Sequence, residues 1–404
     1  MRREPRDGRP HPSIAASSVA LVLSALLLGL LPGCLGGARR GAAGEERVAL
    51  SDGWLAMGTF FEADLRLRED QVPVAKAWLA WARLELERLE RVYSRHDPDS
   101  ALSDLNRALA TEATTETSAP IGPELETVLG ESVSLWEATG GAFDVTVGPL
   151  VEVWRRAAEQ GVWPSVEAIR SAKERVGSDR LRLDEPGRLA VTARRVRIDL
   201  DAIAKGAAVD HVVGSLLRDL PDVAALISFG QSTTVALGDP DGAGGWVVVV
   251  QSSRPGGGEL ARLKLRDRAV SVSSSVGSTS EIAGQTVSHI LDPRTGATVE
   301  GTVEAVVIGS RALRTDAWST GLLVLGAQRS SIRLVEKAGQ DAFVYDSTGR
   351  SVFSDGWESY LATATDSSDV DGALEAAGVA PVAEDAPTAA SSGAVLGRQA
   401  ALRR

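Results

Sequence analysis

Three short segments combine residue types that handle anions and metal ions. The first, Asp199-Leu200-Asp201-Ala202-Ile203-Ala204-Lys205-Gly206, sets two carboxylates ahead of a lysine. Its pattern predicts a strand over 197–200 running into a helix that begins near Asp201, where free backbone N–H groups favour anions. Lys205, one turn in, adds positive charge at the same spot, in a chain that has five lysines against 38 arginines. The same residue equally suits a solvated helix face, and Asp199 equally suits a helix N-cap. The second, Ser288-His289-Ile290-Leu291-Asp292-Pro293-Arg294-Thr295-Gly296, gathers an imidazole, a carboxylate, a guanidinium and a turn. Asp-Pro followed by Thr-Gly is ordinary turn chemistry, so Asp292 alternatively shapes a loop and His289 alternatively serves the structure. The third, Thr315-Asp316-Ala317-Trp318-Ser319-Thr320-Gly321, puts Asp316 and Thr320 at i and i+4 on one helical face. A carboxylate and a hydroxyl so placed can share a hard cation such as Mg²⁺, whose remaining positions go to carbonyl, water and phosphate oxygens. A helix start capped by Thr315 or Asp316 is the competing reading.

The elements that must position these groups are mixed in type. Alternation over 58–67 predicts a strand, and apolar residues three or four apart from Val74 to Val92 predict an amphipathic helix. A second helix is expected from Pro123 to Thr139, stopped by Gly140-Gly141, and a further one from Thr315 to Leu325. Strands are expected at 224–229, 235–237, 246–251, 263–265 and 305–308, separated by Gly- and Pro-rich turns. This order argues an α+β fold. No lysine follows a glycine, so a Walker A loop is absent, and no G-x-G-x-x-G lies between a strand and a helix.

Composition narrows the classes further. The chain has 404 residues, 44% hydrophobic and 24% charged, with one cysteine, which excludes a disulfide scaffold and a multi-cysteine metal cluster. Any metal must therefore be held mainly by oxygen or imidazole. A formal charge of −11 gives no footprint for nucleic acid. Arg2, Arg3, Arg6 and Arg9 precede an uncharged run from Ile14 to Leu31, then Pro32-Gly33-Cys34. This is the pattern of a bacterial lipoprotein signal over 1–33, with the Cys34 thiol as the lipid acceptor; an uncleaved membrane anchor is the alternative. Both put the protein outside the cytoplasm on a membrane, facing the periplasm or the cell exterior. Residues 34–47 read as a tether, 48–363 as the folded domain, and 364–404, rich in Ala, Ser, Gly and Asp, as a disordered tail.

Taken in order, several segments resemble the motifs of the ApbE family. They are Met57-Gly58-Thr59, the run Tyr93 to Asn106, Gly140 to Leu150, Asp199 to Gly206 with Asp210 after it, His289 to Gly296, and Asp316 to Thr320. The resemblance spans nearly all of 48–363. It implies the family's flavin transferase fold, mixed sheets with packed helices, and FAD:protein FMN transfer. In that reaction a Thr or Ser hydroxyl of a flavinylation motif in an acceptor protein attacks the FMN-side phosphorus of FAD and AMP leaves, with Mg²⁺ required. Carried over residue by residue, Asp316 and Thr320 would ligate Mg²⁺ by side chain and Ala202 by its carbonyl. Lys205, His289 and Asp316 would be catalytic. FAD would be contacted by Met57, His96, Ala142, Phe143, Asp144, Asp199, Lys205, His289 and Ile290. Gly230-Gln231-Ser232 stands where the family has Gly-Gly-Asp/Asn, and Ser273 to Ser278 where it has Thr-Ser-Gly and an aromatic stretch. These departures motivate two alternatives, an FAD-binding lipoprotein without transfer and an FAD pyrophosphatase yielding FMN and AMP. A solute-binding lipoprotein would not need the 199, 289 and 316 segments.

Overall fold

The computed structural model describes residues 47–110, 116–193, 195–230, 232–254, 256–362 and 380–381. The signal segment, Cys34, most of the tether, Gln231 and nearly all of the tail lie outside the described residues.

The chain opens with a hairpin, β1 (Val48–Ala56) and β2 (Thr59–Leu67), followed by helices α1 (Val72–Tyr93) and α2 (Ala101–Leu109). A peripheral layer comes next: β3 (Thr117–Pro120), α3 (Pro123–Thr139), α4 (Gly148–Gln160), α5 (Val166–Lys173), β4 (Leu181–Arg182) and β5 (Arg188–Val191). Helix α6 (Ala204–Asp219) leads into β6 (Ala224–Phe229), β7 (Thr233–Leu237), the hairpin β8 (Trp246–Gln251) and β9 (Glu259–Leu265), and β10 (Arg268–Ser274). A small hairpin, β11 (Thr279–Ile282) and β12 (Gln285–Ser288), precedes β13 (Thr302–Gly309), α7 (Ala312–Leu325), α8 (Arg329–Lys337), β14 (Asp341–Asp346) and β15 (Arg350–Phe353). The central sheet runs β1-β2-β6-β7-β10-β13-β14-β15, antiparallel at every step, and Ala380–Pro381 adds a short parallel pairing beside β15.

Strand alternation decides what each face buries. Ala225, Ile227, Phe229, Ala305, Val307 and Val344 face the main core, filled by α1, α6 and α7. Their neighbours Ala224, Val270, Val306, Ile308, Phe343 and Tyr345 face a second core, where Trp246, Val250, Leu263 and Trp357 close over the sheet. The tryptophans of α1 serve packing: Trp78 is buried, and its indole N–H donates to Val212 O at 3.2 Å. Helix α3 ends where the sequence predicts, with Gly140 at φ 61°, a conformation that glycine adopts without penalty.

Two local readings need correction. Residues 197–200 are not a strand, and the following helix starts at Ala204 rather than near Asp201, with Ile203 at its N-cap position. The backbone of Asp199 instead ties to the peripheral layer, its N–H donating to Val145 O at 2.7 Å. Lys205 is therefore in the first turn of α6. Helix α7 starts at Ala312, three residues before the predicted Thr315, so neither Thr315 nor Asp316 caps it. Its free N–H groups are satisfied from α6: Asp210 accepts from Ala312 N at 2.7 Å and Leu313 N at 3.2 Å. This cross-helix cap fixes α7 against α6.

Candidate active site

Close packing of α6 on α7 builds the centre of the site. A Cβ on Gly206 would sit 2.7 Å from the carbonyl carbon of Ala312 and from Leu313 Cα, so only glycine permits this approach. The Gly206 N–H consequently reaches Asp316 and donates to its Oδ2 at 3.0 Å. Lys205, the preceding residue, projects into the same cavity, its ammonium donating to Asp201 O at 3.3 Å.

That cavity has a volume of about 970 Å³. It is lined by Ala142, Phe143, Asp144, Asp199, Ala202, Lys205, His289, Ile290, Asp316 and Thr320, ten of the residues singled out in the sequence. Met57 and His96 are not among the lining residues. Met57 occupies the β1–β2 turn at φ 47°, with its N–H donating to Glu90 Oε2 at 3.0 Å. His96 follows the Ser94 turn, its N–H donating to Ser94 Oγ at 3.2 Å. The cavity also meets Val272 and Ser274 on one face of β10 and Ser273 on the other, so it wraps round the end of the central sheet.

The electrostatics separate the carboxylates. Asp316 is 4% exposed, and burial raises its carboxyl above the ordinary range, opposed by the Lys205 charge and the Gly206 N–H. Asp199 is pushed up to about 6, first by burial and then by the negative charge of Asp201, against the pull of Arg95. Arg95 Nε stands 3.3 Å from Asp199 Oδ2 and 2.6 Å from Asp201 Oδ2. Asp144 lines the cavity, yet its carboxylate is spent on the fold. It accepts from Thr146 N at 2.8 Å, Thr146 Oγ at 2.6 Å and Ser178 Oγ at 2.7 Å, and anchors the 178 turn.

His289 stands solvent-accessible at the cavity, with its Nδ1 2.5 Å from Ser278 O. A carbonyl can only accept, so Nδ1 carries the proton and Nε2 presents its lone pair in the neutral ring. Partial burial and the Lys205 charge lower the imidazole pKa, against the Ser278 bond and the Asp201 charge. The loop that carries His289 is shaped by Asp292, whose Oδ1 accepts from Arg294 N and Nε, both at 2.9 Å. Turn chemistry and site chemistry are thus both present in this segment.

Oxygen donors suited to Mg²⁺ meet here. Asp316 offers a carboxylate with one hydrogen bond among the described residues, Thr320 a hydroxyl, and Ala202 a main-chain carbonyl. Among the described residues no group of three or more His, Cys, Asp or Glu is placed to hold a metal. That combination fits Mg²⁺, which takes one or two carboxylates and completes its shell with water and phosphate oxygens. The lining also includes Arg95, which the sequence does not mark as a site residue, and Ser273, which the sequence marks only as part of a segment that departs from the family. Ser273 Oγ lies 3.1 Å from Thr320 Oγ1 and 2.7 Å from Ser319 Oγ, and orients the Thr320 hydroxyl. Arg95 adjoins His96 in the run 93–106; its partners Asp199 and Asp201 lie over a hundred residues away, which local spacing cannot show.

A cation, a buried carboxylate, a hydroxyl and an imidazole around one large cavity have the chemistry to suit a phosphate-bearing ligand, in an α+β domain. The chain belongs to the ApbE family, whose model matches residues 57–344. It is 30% identical over 316 residues to an FAD:protein FMN transferase of Klebsiella pneumoniae, covering 76% of this chain and 87% of the relative. Identity to the FAD:protein FMN transferase of Escherichia coli K12 is 27% over 273 residues, covering 66% and 76% of the two chains. The fold is that of the Pseudomonas stutzeri flavinyl transferase ApbE in its apo form, with TM-score 0.67, 24% identity, and coverage of 78% and 98%. The flavin transferase ApbE from Vibrio cholerae superposes with TM-score 0.63 at 23% identity, covering 78% and 99%.

Proposed function

We propose that the chain is an FAD:protein FMN transferase, which moves FMN from FAD to a Thr or Ser hydroxyl of an extracytoplasmic redox protein. The observation that carries this reading is the convergence of Lys205, His289, Asp316 and Thr320, from three separate segments, on one cavity. The acceptor Oγ attacks the FMN-side phosphorus, a new P–O bond forms, and the phosphoanhydride bond to AMP breaks. The hydroxyl proton passes to His289 Nε2, the ring nitrogen that the Ser278 contact leaves with its lone pair. Lys205 offsets charge that accumulates on the leaving phosphate. Asp316, Thr320 and the Ala202 carbonyl would hold Mg²⁺, which supplies further neutralisation of the phosphates when bound. Phe143, Ile290 and Asp199 border the space available to the flavin nucleotide.

Export as a lipoprotein anchored through Cys34 completes the proposal and places the acceptor outside the cytoplasm. The altered segments bear on the reaction because residues in and beside them, Gly230, Ser232, Ser273, Ser274, Gly277 and Ser278, all line the cavity. Water in place of the acceptor hydroxyl would give FMN and AMP, and binding alone would give neither. Incubation with FAD, Mg²⁺ and acceptor, with AMP, free FMN and covalent adduct measured separately, distinguishes the three. Transfer predicts adduct and AMP in equal amounts; AMP with free FMN alone refutes it.

A further inference from the structure

The flavin-transfer reading leaves one wall of the cavity without a task. Residues 247–253 line it without a break. Successive strand residues point to opposite faces, so a cavity bordered by every residue of β8 from 247 to 251, well inside the strand, follows the strand's edge. Among the described residues β8 has one strand partner, β9, and no residue of β9 lines the cavity. The open edge of β8 therefore faces the reaction space, which Leu226, Val272 and Ser274 of the central sheet also line. An open edge presents main-chain donors and acceptors, the usual template for adding another strand.

Two further features suit that edge to a polypeptide. Val247 and Val249 are 50% and 39% exposed, an apolar pair on the outer face of β8 directly beside the edge. The end of β8 is also pinned. Glu304, 0% exposed, accepts from Ser252 Oγ at 3.0 Å, Tyr345 OH at 2.6 Å and Ser253 N at 2.5 Å. A buried carboxylate is costly unless its bonds are made, and here they lock the end of the strand to the sheet. A docking edge held rigid loses less entropy on binding.

We propose that the edge of β8 is the acceptor-docking strand: an extended segment of the acceptor protein pairs with Val247–Gln251 and thereby carries its Thr or Ser into the cavity. This rests on the flavin-transfer reading and adds to it the recognition of the second substrate. Its occupant is the acceptor because the edge is continuous with the cavity that holds His289 and Lys205. A strand of six residues spans about 20 Å, enough to fix the direction and register of an attacking side chain.

The test uses the full chain and an acceptor domain identified by the covalent flavin that the wild-type protein attaches to it. A Thr/Ser→Val form of that acceptor docks without reacting. Residue-resolved hydrogen exchange should show alternate amides within 247–251 slowed at least tenfold by this acceptor and unchanged by FAD alone. Val247→Lys with Val249→Lys should raise the acceptor KM at least tenfold with kcat within threefold, and Val247→Thr with Val249→Thr should restore it. Protection by FAD alone would assign the edge to the nucleotide, and protection that grows with protein concentration would assign it to a second copy; either overturns the proposal, as does adduct formation without protection of β8. Loss of FAD binding in the wild-type protein, seen by flavin fluorescence, refutes the flavin reading itself and is a separate observation.

Discussion

Replacing Asp316 by Asn changes one charge and little else. The side chain is 4% exposed, and the amide oxygen of Asn can keep the hydrogen bond from Gly206 N that Asp316 Oδ2 accepts at 3.0 Å. What disappears is the anionic oxygen that the proposed Mg²⁺ site would use. Charge stabilisation by a metal contributes several kcal/mol to a transition state; about 4 kcal/mol at about 1.4 kcal/mol per tenfold predicts a loss of about 10³ in transfer rate. Stability should move the other way. Burial raises the Asp316 carboxyl pKa, so the folded state holds that proton more tightly than the unfolded chain. Stability tied to it is present at low pH and lost as pH rises through the folded pKa, which means the ionised group opposes folding at neutral pH. The metal-free Asn variant should therefore melt at or above the wild-type temperature. Mg²⁺ at a hundred times its Kd should add about 2.7 kcal/mol, about 4 °C for a domain of this size, to the wild type and nothing to the variant. AMP release by chromatography and melting curves with and without Mg²⁺ measure both quantities. Transfer within tenfold of wild type, or a metal-free variant that melts several degrees lower, would refute the reasoning.

Other perturbations test other links. His289 has a lowered pKa and must be neutral to accept a proton, so the acid limb of the transfer rate should fall with a midpoint below about 6.5; His289→Gln should abolish that limb and slow transfer at least 10²-fold. Asp199, raised to about 6, should cost the apo protein stability as pH rises from about 4 to about 6, and Asp199→Asn should flatten denaturant midpoints across that window. Gly206→Ala forces a methyl against the Ala312 carbonyl and should cost about 3 kcal/mol in urea unfolding, together with a fall in transfer. Cys34→Ser should move the protein from the membrane fraction to the soluble fraction and abolish incorporation of a labelled fatty acid, without changing the rate on a soluble acceptor.

Legibility in the sequence followed the range of the interaction. Helix α3 and its glycine stop, the strands from β6 to β9, and the Asp316–Thr320 face were readable because periodicity and turn residues act within a few positions. The start of α7 was misplaced because its cap comes from Asp210, a hundred residues earlier, and no local residue signals it. The expected strand at 197–200 satisfies its backbone against Val145 and Asn106 instead, partners that apolar alternation cannot reveal. Asp144 enters the site through the family resemblance alone, and the bonds its carboxylate accepts from Thr146 and Ser178 come from residues that a local motif does not connect. Met57 and His96 belong to recognisable motifs, and neither is among the residues that line the cavity. Arg95 and the edge of β8 were missed because their significance comes only from what the fold brings opposite them.

The most direct measurement is a single time course of the full chain with FAD, Mg²⁺ and acceptor protein, following AMP, free FMN and protein-bound flavin in the same samples. Flavin transfer predicts protein-bound flavin rising in step with AMP, one for one, with free FMN flat and both rises slowed about 10³-fold in Asp316→Asn. AMP rising with free FMN while the acceptor stays unmodified, or FAD persisting intact beside folded, metal-loaded protein, would contradict it.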